Sequence, residues 1–197
     1  MSGKTGRFGL ALAPNGLRLP QELVNTALDE LQGTEDQLAD PAAANSWLRD
    51  ALTHWADATG EPAPDLSLNE KDLPPLRSLR EQLRQATRAQ SEHVHPPVAA
   101  PAELLPVDIR LQLAPDGRVG YRPIERGWEG VAALVAMEML LAHSNGTLSR
   151  LKSCAGTHCG VSFYDESRNQ ARVWHDSKVC GNAPNLRASR ARRKDQQ

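Results

Sequence analysis

The chain has 197 residues, is 40% hydrophobic and 24% charged, and carries a formal net charge of −1. That is the composition of a folded globular protein, not of a disordered one. The longest largely apolar stretch, Val131 to Ala142, is interrupted by Glu138 and falls short of the about 18 residues a membrane-spanning helix needs.

The N-terminus carries Lys4 and Arg7, but the apolar run behind them, Phe8 to Ala13, is too short for a secretory h-region and Pro14 ends it. A cytoplasmic location follows as the expectation, and in a reducing compartment three cysteines point to metal or chemistry before disulfides. Phe8 to Ala13 is compatible with a short strand. Pro20 to Leu31 predicts a helix, with Leu23, Val24, Ala27, Leu28 and Leu31 on one face. Asp40-Pro41 is a helix start, an Asp N-cap followed by Pro in the first turn, and the helix should stop at Gly60. Its stripe of Trp47, Leu48, Ala51, Leu52 and Trp55 has core spacing, so the two tryptophans read as packing rather than as a ligand pocket.

Glu61 to Pro75 reads as a loop, Leu76 to Gln90 as an amphipathic helix, and the proline-rich stretch Ser91 to Pro101 as a connection. His93 and His95 lie in that connection with no third metal ligand nearby. Alternation over 108–113 and 118–122, around Ala114-Pro-Asp-Gly117, predicts a β-hairpin. Gly127 to His143 predicts a helix apolar on nearly every side, hence a buried central element. Glu138 within it is a candidate buried functional carboxylate, although the favoured reading is that it reaches the surface or pairs with an arginine. A boundary falls near residue 150, dividing a body, 1–150, from a C-terminal segment, 151–197.

Charge follows the same division. Residues 151–197 hold nine Lys/Arg and four Asp/Glu, +5, and residues 1–150 the other fourteen and twenty, −6. All three cysteines lie in the basic segment. Cys154-x4-Cys159 and His175-x4-Cys180 both end in Cys-Gly, like two copies of one knuckle. Two tight turns, each with a glycine free to take positive φ after its second ligand, would aim three thiolates and an imidazole at one tetrahedral Zn²⁺. His158 is the alternative to His175, disfavoured because neighbouring side chains such as His158 and Cys159 seldom reach one metal. Four protein ligands leave no open position, which argues for structural rather than catalytic zinc.

Beside the ligands stand the run Phe163-Tyr164-Asp165, then Ser167-Arg168-Asn169, Arg172, Trp174 and Cys180-Gly181-Asn182, and in the body Leu23-Val24-Asn25-Thr26. On these residues the chain resembles bacterial proteins with an N-terminal ABATE domain and a C-terminal CGNR-type zinc finger. The resemblance implies a transcription regulator whose finger binds DNA. This chain has His175 where the family usually has Cys, and Ala183 where CGNR has its Arg.

Arg187, Arg190, Arg192, Arg193 and Lys194 follow. On a helix starting near Pro184, Arg187, Arg190 and Lys194 share one face. With Arg168 and Arg172 they are the candidate phosphate contacts, although Arg168 and Arg172 could equally brace the finger. Trp174 reads as packing rather than base stacking. Asn182 could cap the helix behind it.

The expected fold is therefore α+β: a mainly helical body with a small β-hairpin, plus a small C-terminal zinc module. No nucleophile elbow, P-loop or dinucleotide fingerprint is present, so no enzyme is expected. The expected partners are DNA, a small-molecule effector and, because one small finger binds DNA weakly, a second copy of the chain; no membrane partner is expected. The alternative is a protein-interaction module that uses zinc only for shape. Zinc-bound thiolates could also make the finger a redox switch.

Overall fold

The computed structural model describes residues 8–27, 33–91, 107–156 and 159–181. Among these residues four α-helices and two antiparallel hairpins make up an α+β fold: α1 Arg18–Val24, α2 Pro41–Thr59, α3 Leu73–Ser91, β1 Ile109–Leu113, β2 Val119–Pro123, α4 Gly127–Ser144, β3 Leu151–Ser153 and β4 Ser162–Tyr164. No helix among the described residues is long and apolar enough to cross a membrane.

Helix α2 begins and ends for local reasons. The Asp40 carboxylate accepts the Ala43 N–H at 2.9 Å, Pro41 occupies the first turn, and Gly60 closes the helix at φ 74°. Its stripe, Ala44, Trp47, Leu48, Ala51, Leu52 and Trp55, is buried. These side chains meet Leu73, Leu76, Leu79 and Leu83 of α3, Leu19 and Leu23 of α1, and Val131, Leu134 and Val135 of α4 in the main core.

Two helix starts depart from the sequence expectation. Helix α3 opens at Leu73, three residues early, because Asn69 and Asp72 form a reciprocal capping box on the preceding 3-10 turn, and Pro74 and Pro75 fall in the first turn, where no N–H is needed. Helix α1 starts at Arg18 and ends at Val24. Beyond it the Thr26 hydroxyl donates to Leu23 O at 2.7 Å, and the Asn25 side chain is committed elsewhere. The expected strand at 8–13 is reduced to an isolated bridge at Ala11. The buried Gln21 amide stands in for a neighbouring strand, accepting from Ala13 N at 2.7 Å and donating to Ala11 O at 3.2 Å. The hairpin forms as expected, with Leu111 opposite Tyr121 and Leu113 opposite Val119.

Helix α4 is buried from Gly130 to Val135, but Glu129 in its first turn and Leu140 and Leu141 near its end are exposed. Glu138 does not reach the surface, and among the described residues it meets no arginine. It is 3% exposed and accepts hydrogen bonds from Trp55 Nε1 at 2.6 Å and from the Tyr121 hydroxyl.

The segment after residue 150 packs on the body. Asn25 reaches across 137 residues to donate to Ser162 O at 3.0 Å and accept from Ser162 N at 2.7 Å, so its amide acts as an extra strand residue beside β4. Thr87 of α3 shares a 2.6 Å hydroxyl contact with Ser153 of β3. Phe8 and Leu10 pack against the buried cluster that holds Val161, Phe163 and the three cysteines. Asn25→Ala strands both backbone groups of Ser162 in a buried site and should cost about 2–4 kcal/mol in urea unfolding. A loss below about 0.5 kcal/mol, the range of an ordinary surface change, would contradict this role.

Candidate metal centre

Hairpin β3–β4 sets the first knuckle. Cys154 leaves β3 with its N–H donating to Val161 O at 2.9 Å, and Cys159 N donates to Gly156 O at 3.0 Å, closing the turn. The second knuckle is a short π-helical turn, Ser177–Gly181. The Asp176 carboxylate caps it by accepting from Lys178 N at 2.7 Å and Val179 N at 3.2 Å, and Cys180 N donates to Asp176 O at 2.9 Å. A backbone bond from Ala155 N to Val173 O, 2.9 Å, draws the two knuckles together.

The result gathers Cys154, Cys159, His175 and Cys180, all buried, with one donor atom from each lying within 4.8 Å of all the others. His175 Nδ1 is 3.4 Å from Cys159 Sγ and 3.7 Å from Cys180 Sγ. A sulfur and a nitrogen on one tetrahedral zinc stand about 3.5 Å apart, so these spacings fit the metal. His158 lies outside the described residues.

Electrostatics favour a cation at the centre. A hydrogen bond from the Cys159 thiol holds Cys154 well below the usual thiol range, against the opposing effect of burial. Cys159 is pushed up, first by that same bond and then by burial; Cys180 is pushed up by burial and by the neighbouring Cys154 charge. Without a metal the cluster therefore favours one thiolate. A divalent cation offsets the mutual repulsion of three. Cys154, Cys159, His175 and Cys180 would hold a zinc ion, which would supply a structural cross-link to a segment with little core of its own.

The glycines act differently from the sequence expectation. Neither Gly160 nor Gly181 has positive φ. Gly181 instead leaves room for Trp174, whose Cε3 would lie 3.1 Å from a Cβ there. Gly156 matters more: a Cβ would fall 3.1 Å from Cys159 Cβ and 3.3 Å from Cys180 Sγ, and its N–H points to Cys154 Sγ at 3.5 Å. Gly156→Ala should loosen zinc about tenfold or more in a chelator competition, the range of a lost supporting contact. Gly160→Ala, whose Cβ would make ordinary contact with the Arg84 side chain, 3.6 Å from Cδ and 3.9 Å from Nη1, should leave zinc retention unchanged. Equal zinc affinities for the two variants would refute the assignment.

A buried polar frame supports the knuckles. Lys152 Nζ donates to Asp165 Oδ2 at 2.9 Å, to Arg172 O at 3.1 Å and to Gln170 O. Asp165 also accepts from Ser167 N at 2.9 Å, Ser167 Oγ at 2.6 Å and Arg172 N at 3.0 Å. Burial raises the Asp165 pKa, but the hydrogen bonds from Ser167 and Lys152 outweigh it and hold the carboxyl at about 2. The Arg172 guanidinium lies 5.3 Å from the Phe163 ring centroid and donates to His175 O at 2.6 Å, which fixes the backbone of a ligand.

Among the other residues singled out from sequence, Arg168 is exposed and Trp174 packs on the cysteine cluster. Arg187, Arg190, Arg192, Arg193, Lys194 and Asn182 lie outside the described residues, as do His93 and His95. Sequence reasoning missed Lys152 and Gly156, and it marked Asp165 only as part of the run that carries the resemblance, without its bracing role. A lysine in the short run Leu151-Lys-Ser153 gives no sign that it is buried, because its partners come from the loop 165–172.

Two family models match the chain. Residues 17–143 match ABATE, described as "Putative stress-induced transcription regulator". Residues 150–193 match the CGNR zinc finger. No curated protein matches.

Proposed function

The chain belongs to the ABATE family and carries a CGNR zinc finger, and from that premise we propose that it is a DNA-binding transcription regulator. The observation that carries the reading is the buried Cys3His set, placed at the start of a segment whose charge is +5 on a body of −6. Zinc and the Lys152–Asp165 frame hold the finger's shape. Arg168 and the tail residues Arg187, Arg190, Arg192, Arg193 and Lys194 position phosphates, and the body senses a ligand or mediates assembly as a dimer. Arg172 contributes by bracing the finger, since its guanidinium is already engaged. The proposal places the protein in the cytoplasm and gives it no catalytic activity.

The test is binding to labelled duplex DNA as salt is raised. The logarithm of affinity should fall linearly with the logarithm of salt concentration, and Arg190→Ala and Arg193→Ala should each flatten the slope by about 1. No measurable binding at low salt would overturn the proposal. It would favour the second reading, a zinc-shaped protein-interaction module, to which Ala183 in place of the family arginine already lends support.

A further inference from the structure

A cleft of about 520 Å³ opens between the turn Asn15–Leu17, the ends of α2 and α4, and strand β2. That is the size of a small-molecule site, typically about 300–1,000 Å³. Glu138 lines it. Both hydrogen bonds that Glu138 receives, from Trp55 and Tyr121, land on Oε1; Oε2 accepts none among the described residues. Oε2 is not among the atoms sealed from solvent without a partner, so it stays open to a hydrogen-bond donor from the cleft. Gly16 keeps the carboxylate in place by absence of a side chain: a Cβ there would fall 1.9 Å from Glu138 Cδ.

The surrounding charge has one sign. Glu61 lines the cleft, its carboxylate packed over Gly120 of β2. No lysine, arginine or histidine is in the lining among the described residues. Thr59 and Ser144, the last residues of α2 and α4, both line it, so two long helices present the negative ends of their dipoles. The rest of the wall is partly apolar. Val119 and Leu141 are 62% and 39% exposed, large apolar side chains left partly uncovered.

We propose that this cleft binds a small organic cation, a protonated amine with an apolar body, whose ammonium group donates to Glu138 Oε2. The amine meets two carboxylates and two helix C-termini, and its body covers Val119 and Leu141. Leu17 and Ala142 of the wall also belong to the apolar cluster that holds Leu151 of β3, with Tyr164 of β4 packed against it. An occupant therefore touches side chains that seat the finger's hairpin, which makes the cleft the effector site of the proposed regulator. The site itself does not depend on DNA binding.

The test titrates the full zinc-loaded chain with 2-phenylethylammonium, using 2-phenylethanol and phenylacetate as neutral and anionic controls. Heat and the Trp55 indole N–H resonance are followed. The ammonium should bind at least about tenfold tighter than either control, a difference of about 1.4 kcal/mol, and shift the indole resonance. Glu138→Gln should abolish that preference. Because Glu138 also anchors Trp55 and Tyr121, Glu61→Gln provides an independent variant, expected to weaken the ammonium about threefold through lost Coulomb attraction. Equal binding of the alcohol, unchanged affinity in both variants, or no binding of the ammonium at about 10 mM, weaker than any ordinary site, would overturn the proposal. Because no DNA is present, failure here leaves the DNA-binding reading standing, and failure of DNA binding leaves this one.

Discussion

Asp165→Ala is expected to destabilise the finger by about 3–5 kcal/mol, the cost of leaving one member of a buried ion pair alone. The side chains of Lys152 and Asp165 are 3% and 0% exposed, so water cannot replace the lost partner. The substitution also releases Ser167 N, Ser167 Oγ and Arg172 N. Those bonds fix the loop that delivers Arg172 to His175 O, so the effect should reach the metal: zinc affinity should fall together with stability. Asp165→Asn keeps an acceptor for one donor but removes the charge, and should fall between wild type and alanine. Urea unfolding checks the first expectation and chelator competition the second. A change below about 1 kcal/mol, typical of exposed pairs, would mean the pair does not organise the finger.

Removing zinc should have the largest effect of all. Apparent binding energies of structural zinc sites are about 10–16 kcal/mol, more than the stability of a small module. The main core, Leu19 to Val135, contains no described residue of the finger. On chelation, amides of β3, β4 and the turn Ser177–Gly181 should therefore lose hydrogen-exchange protection while α2 and the first half of α4 keep theirs. The clusters joining Phe8, Leu10 and Leu17 to the finger should loosen with it. Unchanged protection at Cys154 and Cys180 after complete metal removal would show that the finger folds without zinc.

These two predictions draw on features of different visibility. The donor set was legible because it is local: two knuckles of equal spacing, each confined to six residues. Asp40-Pro41, Gly60 and the Ala114–Gly117 turn were legible for the same reason, since caps and turns are written in adjacent residues. What escaped was carried by partners far along the chain. Asn25 meets Ser162 at a separation of 137 residues, and Trp55 meets Glu138 at 83. Nothing near Glu138 in sequence reveals that an indole and a phenol will take the place of an arginine. The reason for the knuckle glycines was also hidden, because Gly156 is required by the approach of Cys180, not by its own φ. The expected helix to Leu31 overran because periodicity continues past Asn25, while that side chain is committed to the finger.

The claim on which the rest depends is that Cys154, Cys159, His175 and Cys180 hold one zinc. Metal content of the purified chain, compared with Cys159→Ser, His175→Ala and His158→Ala, tests it most directly. About one zinc per chain is expected in the wild type and in His158→Ala, and none in the other two. A wild type without zinc, or zinc retained by His175→Ala and lost from His158→Ala, would contradict it.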